Sequence, residues 1–351
     1  MRKLAALVAA FVVSLSAAAC GGGEDTGSGG STASAGGSQA AKLGTGTVGI
    51  ITANSQSEVL THWATTAEKA LGAVGWKGVI ADGKGDPSVW SQAISNFTNQ
   101  RVDGIITLAI DPAPVVPQLQ AAKAAGIPVI ASGISVAGKT DLFAARYAPE
   151  DQEFGRVLAA YLKKRMPQGA EYVALDMSAV SGAHALVTAS TPLLNGDGFR
   201  LAGTHDMNPA DLVNQAAKGT ADLVQANPRA KFLLSCCDFT PPINVAALKQ
   251  VGRTGVLTAS RYDNLSTLKL IRDGAPVVVA AANADTGVLT AVDQIIAKKA
   301  KEAGIDPGAD RGKYRFEVID KDNLPAPGSY RFDPAEQIAA FVRKWKAEYA
   351  S

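Results

Sequence analysis

The chain is poor in the residues that build metal and nucleophile sites. Only three histidines and three cysteines occur among its 351 residues. His62, His184 and His205 lie far apart, and none forms the close pair that a zinc site uses. No serine sits in a Gly-x-Ser-x-Gly elbow. Residues 44–49 match the dinucleotide fingerprint by letter, but they precede the first strand instead of following it. No helix N-terminus is therefore placed to hold a pyrophosphate. The formal net charge is only +2, which excludes the basic footprint of a nucleic-acid-binding protein. No cofactor is implied.

What is present begins with a targeting segment. Arg2 and Lys3 precede an apolar run over residues 4–15, and Ser16, Ala17, Ala18 and Ala19 lead into Cys20. The run is short for a membrane-spanning helix and has the layout of a signal peptide over residues 1–19. Removing it takes Arg2 and Lys3 from 34 basic residues, which leaves a mature chain balanced against 32 acidic ones. The small and polar residues 20–46, rich in Gly and Ser, cannot bury a core and read as a flexible tether.

Hydrophobic residues make up 47% of the chain, and its length suits two compact lobes. Strand-like apolar runs at residues 47–53, 78–81, 104–109 and 128–131 alternate with helical patterns at 58–74, 87–100 and 113–125. The alternation restarts after a connecting stretch. Helices are expected at 153–165, 209–225, 242–251, 265–273 and 285–303. Strands are expected at 171–177, 199–203, 230–235, 255–259, 277–282 and 315–319. Residues 188–194 carry no clear signal. Such alternation implies parallel sheets covered on both faces, an α/β fold of two similar open lobes. Asp333, Pro334 and Glu336 open a last helix, with Ile338, Phe341, Val342, Trp345 and Tyr349 on one face.

Several stretches carry a resemblance. They are Asp86-Pro87, the strand Val102-Asp103-Gly104-Ile105-Ile106, the loop Asp111-Pro112, and the run from Ala121 through Gly126-Ile127-Pro128-Val129-Ile130. Asp151 to Gly155, and Val318-Ile319-Asp320-Lys321-Asp322-Asn323-Leu324, add to it. Together they resemble the type I periplasmic binding proteins of the ribose/galactose class, the substrate-binding components of ABC importers. The Ala-Ala-Ala-Cys ending resembles a lipobox, in which Cys20 is lipidated. The resemblance implies two parallel-sheet lobes joined by three crossovers. It places residues 47–148 and 284–318 in the first lobe, 149–283 and 319–332 in the second, and a C-terminal helix at 333–351. It further implies a monomer held by lipid on the outer face of the cell membrane, which closes on a sugar, a polyol or a related metabolite and delivers it to an ABC permease.

Ligands of open α/β sheets sit beyond the carboxyl ends of the strands. The polar residues there are Asn54, Gln56, Asp82, Asp111 and Ser132 in the first lobe, and Cys237, Asp238, Arg261, Tyr262, Asp263 and Asn283 in the second. By resemblance, Asp263 is the ligand-binding aspartate and Asn283 stands where the family has a glutamine. The aromatic candidates are Trp63, Trp90, Tyr262 and Phe239, with helix–sheet packing the expected role of Trp63 and Trp90. Adjacent Cys236 and Cys237 are expected to be two small buried residues, a vicinal disulfide being the sharper alternative.

The departures from the family point away from a standard ribose or galactose site. The family's Asp-Arg pair falls on Gly133-Ile134, its asparagine on Cys237 and its paired aromatics on Val59-Leu60. Its second-lobe arginine is missing between Ser181 and Asn195. A same-fold sensor feeding a signalling receptor is the competing reading. A transcription regulator would need a DNA-binding domain ahead of residue 47, and an exported enzyme a nucleophile–base pair or a metal cluster.

Overall fold

The computed structural model describes residues 43–133 and 140–349. The signal segment, Cys20, the tether up to residue 42 and Ile134 lie outside them.

The first lobe is built on β1 (Thr47–Thr52), α1 (Glu58–Gly72), β2 (Lys77–Asp82), α2 (Pro87–Asn99), β3 (Gly104–Leu108), α3 (Val116–Ala124), β4 (Val129–Ser132) and β5 (Ala145–Tyr147). Its five strands run parallel in the order β2-β1-β3-β4-β5. The central strands read as continuous apolar runs because helices cover both faces, and all of β3 is buried. Local signals start the helices. Ser57 accepts from Leu60 N to cap α1, and Asp86 accepts from Ser88 N ahead of Pro87 to cap α2.

The second lobe contains α4 (Asp151–Arg165), β6 (Glu171–Asp176), α5 (Ser181–Leu194), β7 (Arg200–Asp206), α6 (Leu212–Ala226), β8 (Phe232–Ser235), α7 (Thr240–Gln250), β9 (Leu257–Arg261), α8 (Leu265–Arg272) and β10 (Val277–Ala282). The chain then returns to the first lobe as α9 (Asp285–Lys301), which packs on α1 and β3 to β5. It re-enters the second lobe as β11 (Phe316–Ile319) and ends in α10 (Pro334–Glu348), packed on α1 and α9. The second sheet has the order β11-β10-β9-β8-β6-β7, parallel except for β11. Three crossovers, at residues 148–150, 283–284 and 302–315, join the lobes, and residues 320–333 pass between them a fourth time to bring α10 back to the first lobe.

Three features differ from the sequence expectation. Residues 316–318, expected in the first lobe, pair antiparallel with β10 and so belong to the second. Residues 188–194 form the second half of α5, which continues through Pro192. This helix is held by close packing on α4. A Cβ at Gly155 would lie 2.9 Å from Ala189, so glycine there lets the two backbones approach. β5, only three residues long, had no signal of its own.

The C-terminal helix follows its sequence pattern. Asp333 accepts from Ala335 N. Trp345 is buried, and Ile338, Phe341, Val342 and Tyr349 pack half-buried against the main core. A buried carboxylate on α9 anchors it. Asp293 accepts from Lys344 Nζ (2.7 and 2.9 Å), Trp345 Nε1 (2.8 Å) and Tyr349 Oη (3.1 Å).

Candidate ligand site between the lobes

The loops that follow the strand carboxyl ends of one lobe touch those of the other. Ser57, after β1, donates from Oγ to Asp238 Oδ2, after β8, at 3.2 Å. Ser181, at the start of α5, donates to Asp111 Oδ1, after β3, at 2.7 Å. Tyr262, after β9, donates to Gly133 O, after β4, at 3.3 Å. A polar seam thus runs between the sheets at the place where such folds take ligands.

On the second-lobe side, Asp238 is buried. Burial pushes its carboxyl up from the ordinary carboxylate range, opposed by the Asn264 amide, the Arg261 charge and the Ser57 hydroxyl. Asn264 donates to Asp238 Oδ2 at 2.9 Å. Asp263 is also buried, which raises its carboxyl to about 6 although Arg331 N donates to it at 2.7 Å. Arg261 is 2% exposed. Its Nη1 donates to Asp151 at 2.7 Å, its Nη2 donates to Gly182 O, and its buried Nε has no partner. The guanidinium lies 5.2 Å from the Tyr262 ring centre. Arg261 thus brings a cation to the start of α5, the helix that carries no arginine of its own.

Tyr262 has φ +60° and a buried ring. It meets Trp63 edge-on across the seam at 5.1 Å and Phe154 at 5.0 Å. Burial raises its hydroxyl well above the ordinary phenol value. Trp63 therefore packs against the opposite lobe as well as its own. Trp90 lies over Gly83 and donates from Nε1 to Ala53 O at 3.0 Å, within the first lobe.

The remaining candidates fall into separate groups. Asn54 and Gln56, in the loop after β1, lie beside Asp82, the last residue of β2. Asn54 Oδ1 accepts from Gln56 N at 2.7 Å, and Gln56 is exposed. Asp82 accepts from Ser55 N and Lys84 N. Its slight burial acts upward, but these bonds win and hold its carboxyl below the usual value. Ser132 donates to Tyr147 O. Asn283 splices two crossovers together: Nδ2 donates to Thr286 Oγ1 and Lys313 O, and Oδ1 accepts from Arg315 N at 2.6 Å. Cys236 and Cys237 are buried and joined by a vicinal disulfide at the end of β8. Cys237 O accepts from Thr240 Oγ1 and Ser260 Oγ.

Sequence reasoning missed Ser57 and Glu58, whose partners lie across the seam, and Asn264, which holds Asp238 within the second lobe. Their signals were local: Ser57 and Glu58 as a helix start, and Asn264 directly after Asp263. His62 was read only as an isolated histidine, yet its Nε2 lies 3.0 Å from Asp285, at the start of α9.

Features elsewhere are less suited to a ligand. A depression of about 740 Å³, lined by Thr98, Arg101, Asp103, Gly126 and Lys298, lies at the amino end of β3, away from the seam. Residues 133–140 read Gly-Ile-Ser-Val-Ala-Gly-Lys-Thr, the letter pattern of a phosphate-binding loop. Among the described residues, the segment after Lys139 forms a 3-10 turn (Thr140–Leu142) before β5, where such a loop needs a full helix. Among the described residues, no group of His, Cys, Asp and Glu is arranged to hold a metal, and no helix is long and apolar enough to cross a membrane.

A family model described as a periplasmic binding protein domain matches residues 48–302. Among solved structures, the chain is similar to an ABC transporter solute-binding protein from Mycobacterium smegmatis with bound glycerol. The two are 21% identical with a TM-score of 0.70, over 83% of this chain and 99% of that one. It is also similar to the Caulobacter myo-inositol binding protein bound to myo-inositol, at 17% identity and a TM-score of 0.69, over 79% of this chain and 94% of that one. A periplasmic solute-binding protein from Actinobacillus succinogenes with bound D-allose is 16% identical with a TM-score of 0.65, over 79% of this chain and 98% of that one. These likenesses are of fold. No curated protein matches the chain in sequence.

Proposed function

The chain belongs to the periplasmic binding protein domain family, and on that premise we propose that it is the solute-binding lipoprotein of an ABC importer. It captures a neutral sugar or polyol between its lobes by hinge closure and delivers it to the permease. Cys20 carries the lipid that holds it on the outer face of the cell membrane.

The observation that carries the ligand class is the polarity of the seam. Among the described residues, Asp111 and Asp238 bridge it to Ser181 and Ser57 of the opposite lobe, and the Arg261 guanidinium there is already paired with Asp151. Carboxylates are acceptors, and hydroxyl groups of a sugar or polyol are the complementary donors. An acidic solute would be repelled by these carboxylates. The bound glycerol, myo-inositol and D-allose of the similar structures are of the same neutral, hydroxyl-rich class. In this reading Asn54, Asp111 and Asp238 contact the ligand, while Asn283 and Ser132 hold the hinge.

A thermal-shift screen of the mature protein against sugars, polyols, amino acids and sugar acids tests it. A ligand at ~100 times its dissociation constant stabilises the folded state by about 2.7 kcal/mol. The expected hit is a neutral polyol, and its shift disappears in Asp238→Ala measured against that variant's own ligand-free melting temperature. A sugar acid as the only hit, or a shift unchanged in Asp238→Ala, contradicts the assignment.

A further inference from the structure

One contact across the seam has no part in holding a ligand. Helix α8 begins at Leu265, and its N-cap residue Asn264 makes no side-chain cap. Its amide is committed to Asp238, to Oδ2 at 2.9 Å and to the main-chain oxygen at 3.3 Å. A helix leaves its first amides without internal partners, and an N-cap side chain normally satisfies one of them. Here the partner comes from the other lobe. Glu58, the first residue of α1, accepts from Leu265 N at 2.7 Å and from Ser266 N at 3.4 Å through Oε1. Through Oε2 it accepts from Ser266 Oγ at 2.6 Å. The carboxylate therefore lies between the N-termini of two helices, and both dipoles favour its charge there. The next residue back, Ser57, caps α1 with the same hydroxyl that donates to Asp238.

Separating the lobes would strip α8 of this cap. We infer that Glu58 is a closure latch: it supplies from the first lobe the N-terminal cap that α8 lacks, so the protein favours its closed form before a ligand arrives. Glu58 is a positioning residue. It acts through α8, whose leading loop carries Asp263 and Asn264 and, through Asn264, orients Asp238. The inference takes from the proposed function only the hinge motion, and its test uses no ligand.

The experiment compares the ligand-free mature protein with Glu58→Ala and Glu58→Gln. Hydrogen exchange is read at the Leu265 and Ser266 amides, and small-angle scattering reads the radius of gyration. In Glu58→Ala both amides should exchange about five-fold faster, as expected for loss of one cap, and the radius should rise. Glu58→Gln, which keeps an acceptor oxygen but no charge, should fall between. Equal exchange and equal radius in wild type and Glu58→Ala would overturn the latch. So would faster exchange at those two amides with an unchanged radius, since the cap would then be local and not coupled to closure. If Glu58→Ala does not fold, Glu58→Gln and Ser266→Ala provide the same comparison. A barren ligand screen would leave this result untouched, and a failed latch would leave the ligand assignment standing.

Discussion

Replacing Gly133 by alanine tests how tightly the seam is built. Gly133 has φ +83°, a region that costs a residue with a Cβ roughly 1–2 kcal/mol. Its new methyl would also lie 2.5 Å from Trp63 Cε3 and 2.6 Å from Cζ3, more than 1 Å inside contact distance. Trp63 is 1% exposed and already meets Tyr262 edge-on, so the ring must shift against buried neighbours. Overpacking of this kind costs about 1–3 kcal/mol. Together the two effects amount to about 2–5 kcal/mol, or roughly 3–8 °C in melting temperature at about 2.1 cal/mol/K per folded residue. Differential scanning calorimetry of the ligand-free protein measures it. The steric part can be separated. In a Trp63→Leu background, Gly133→Ala should cost only the backbone component, which gives a coupling of at least about 1 kcal/mol in the double-mutant cycle. A melting temperature within a degree of wild type, or purely additive effects, would refute the reasoning.

Four further outcomes follow from the structure. Asp293→Ala leaves the buried Trp345 Nε1 without a partner and releases Lys344, so it should cost about 3 kcal/mol and expose α10 to limited proteolysis before the rest of the chain. Asp151→Ala leaves the buried Arg261 charge uncompensated, at a cost of about 3–5 kcal/mol by urea denaturation. Removing Asp273 from its surface pair with Lys269 should cost under about 1 kcal/mol. Asp263 has a folded-state value near 6, raised above its unfolded value, so the fold binds the extra proton. Its contribution is therefore most favourable below about pH 4 and is lost as pH rises through about 6. Asp263→Asn keeps an acceptor for Arg331 N and should be more stable than wild type by up to about 3 kcal/mol at pH 8, with the difference vanishing near pH 4. A pH-independent difference would contradict this.

The sequence disclosed most of what local physics decides. β1 and β3 were readable because strands buried on both faces are continuous apolar runs. α10 was readable because Asp333 and Pro334 mark its start. α5 was not, because its second half has no charge and contains Pro192, and its helix is secured by packing on α4 at Gly155. The candidate site was legible only in part. Strand-end position picked out Asp238, Arg261 and Tyr262, all in the seam. It could not show that Asn283 spends its amide on the crossovers, or that Ser132 points back to Tyr147. Nor could it place Glu58 on α8, a contact between residues 207 positions apart. Such pairings depend on how the two lobes meet, and no local pattern encodes that.

The most direct test of the account is hydrogen exchange of the mature protein with and without the polyol that binds best. The account predicts protection in both lobes at once, over the loops after β1 and β3 and those after β8 and β9. Protection confined to one lobe, or centred on the depression at Thr98, Arg101 and Lys298, would contradict it.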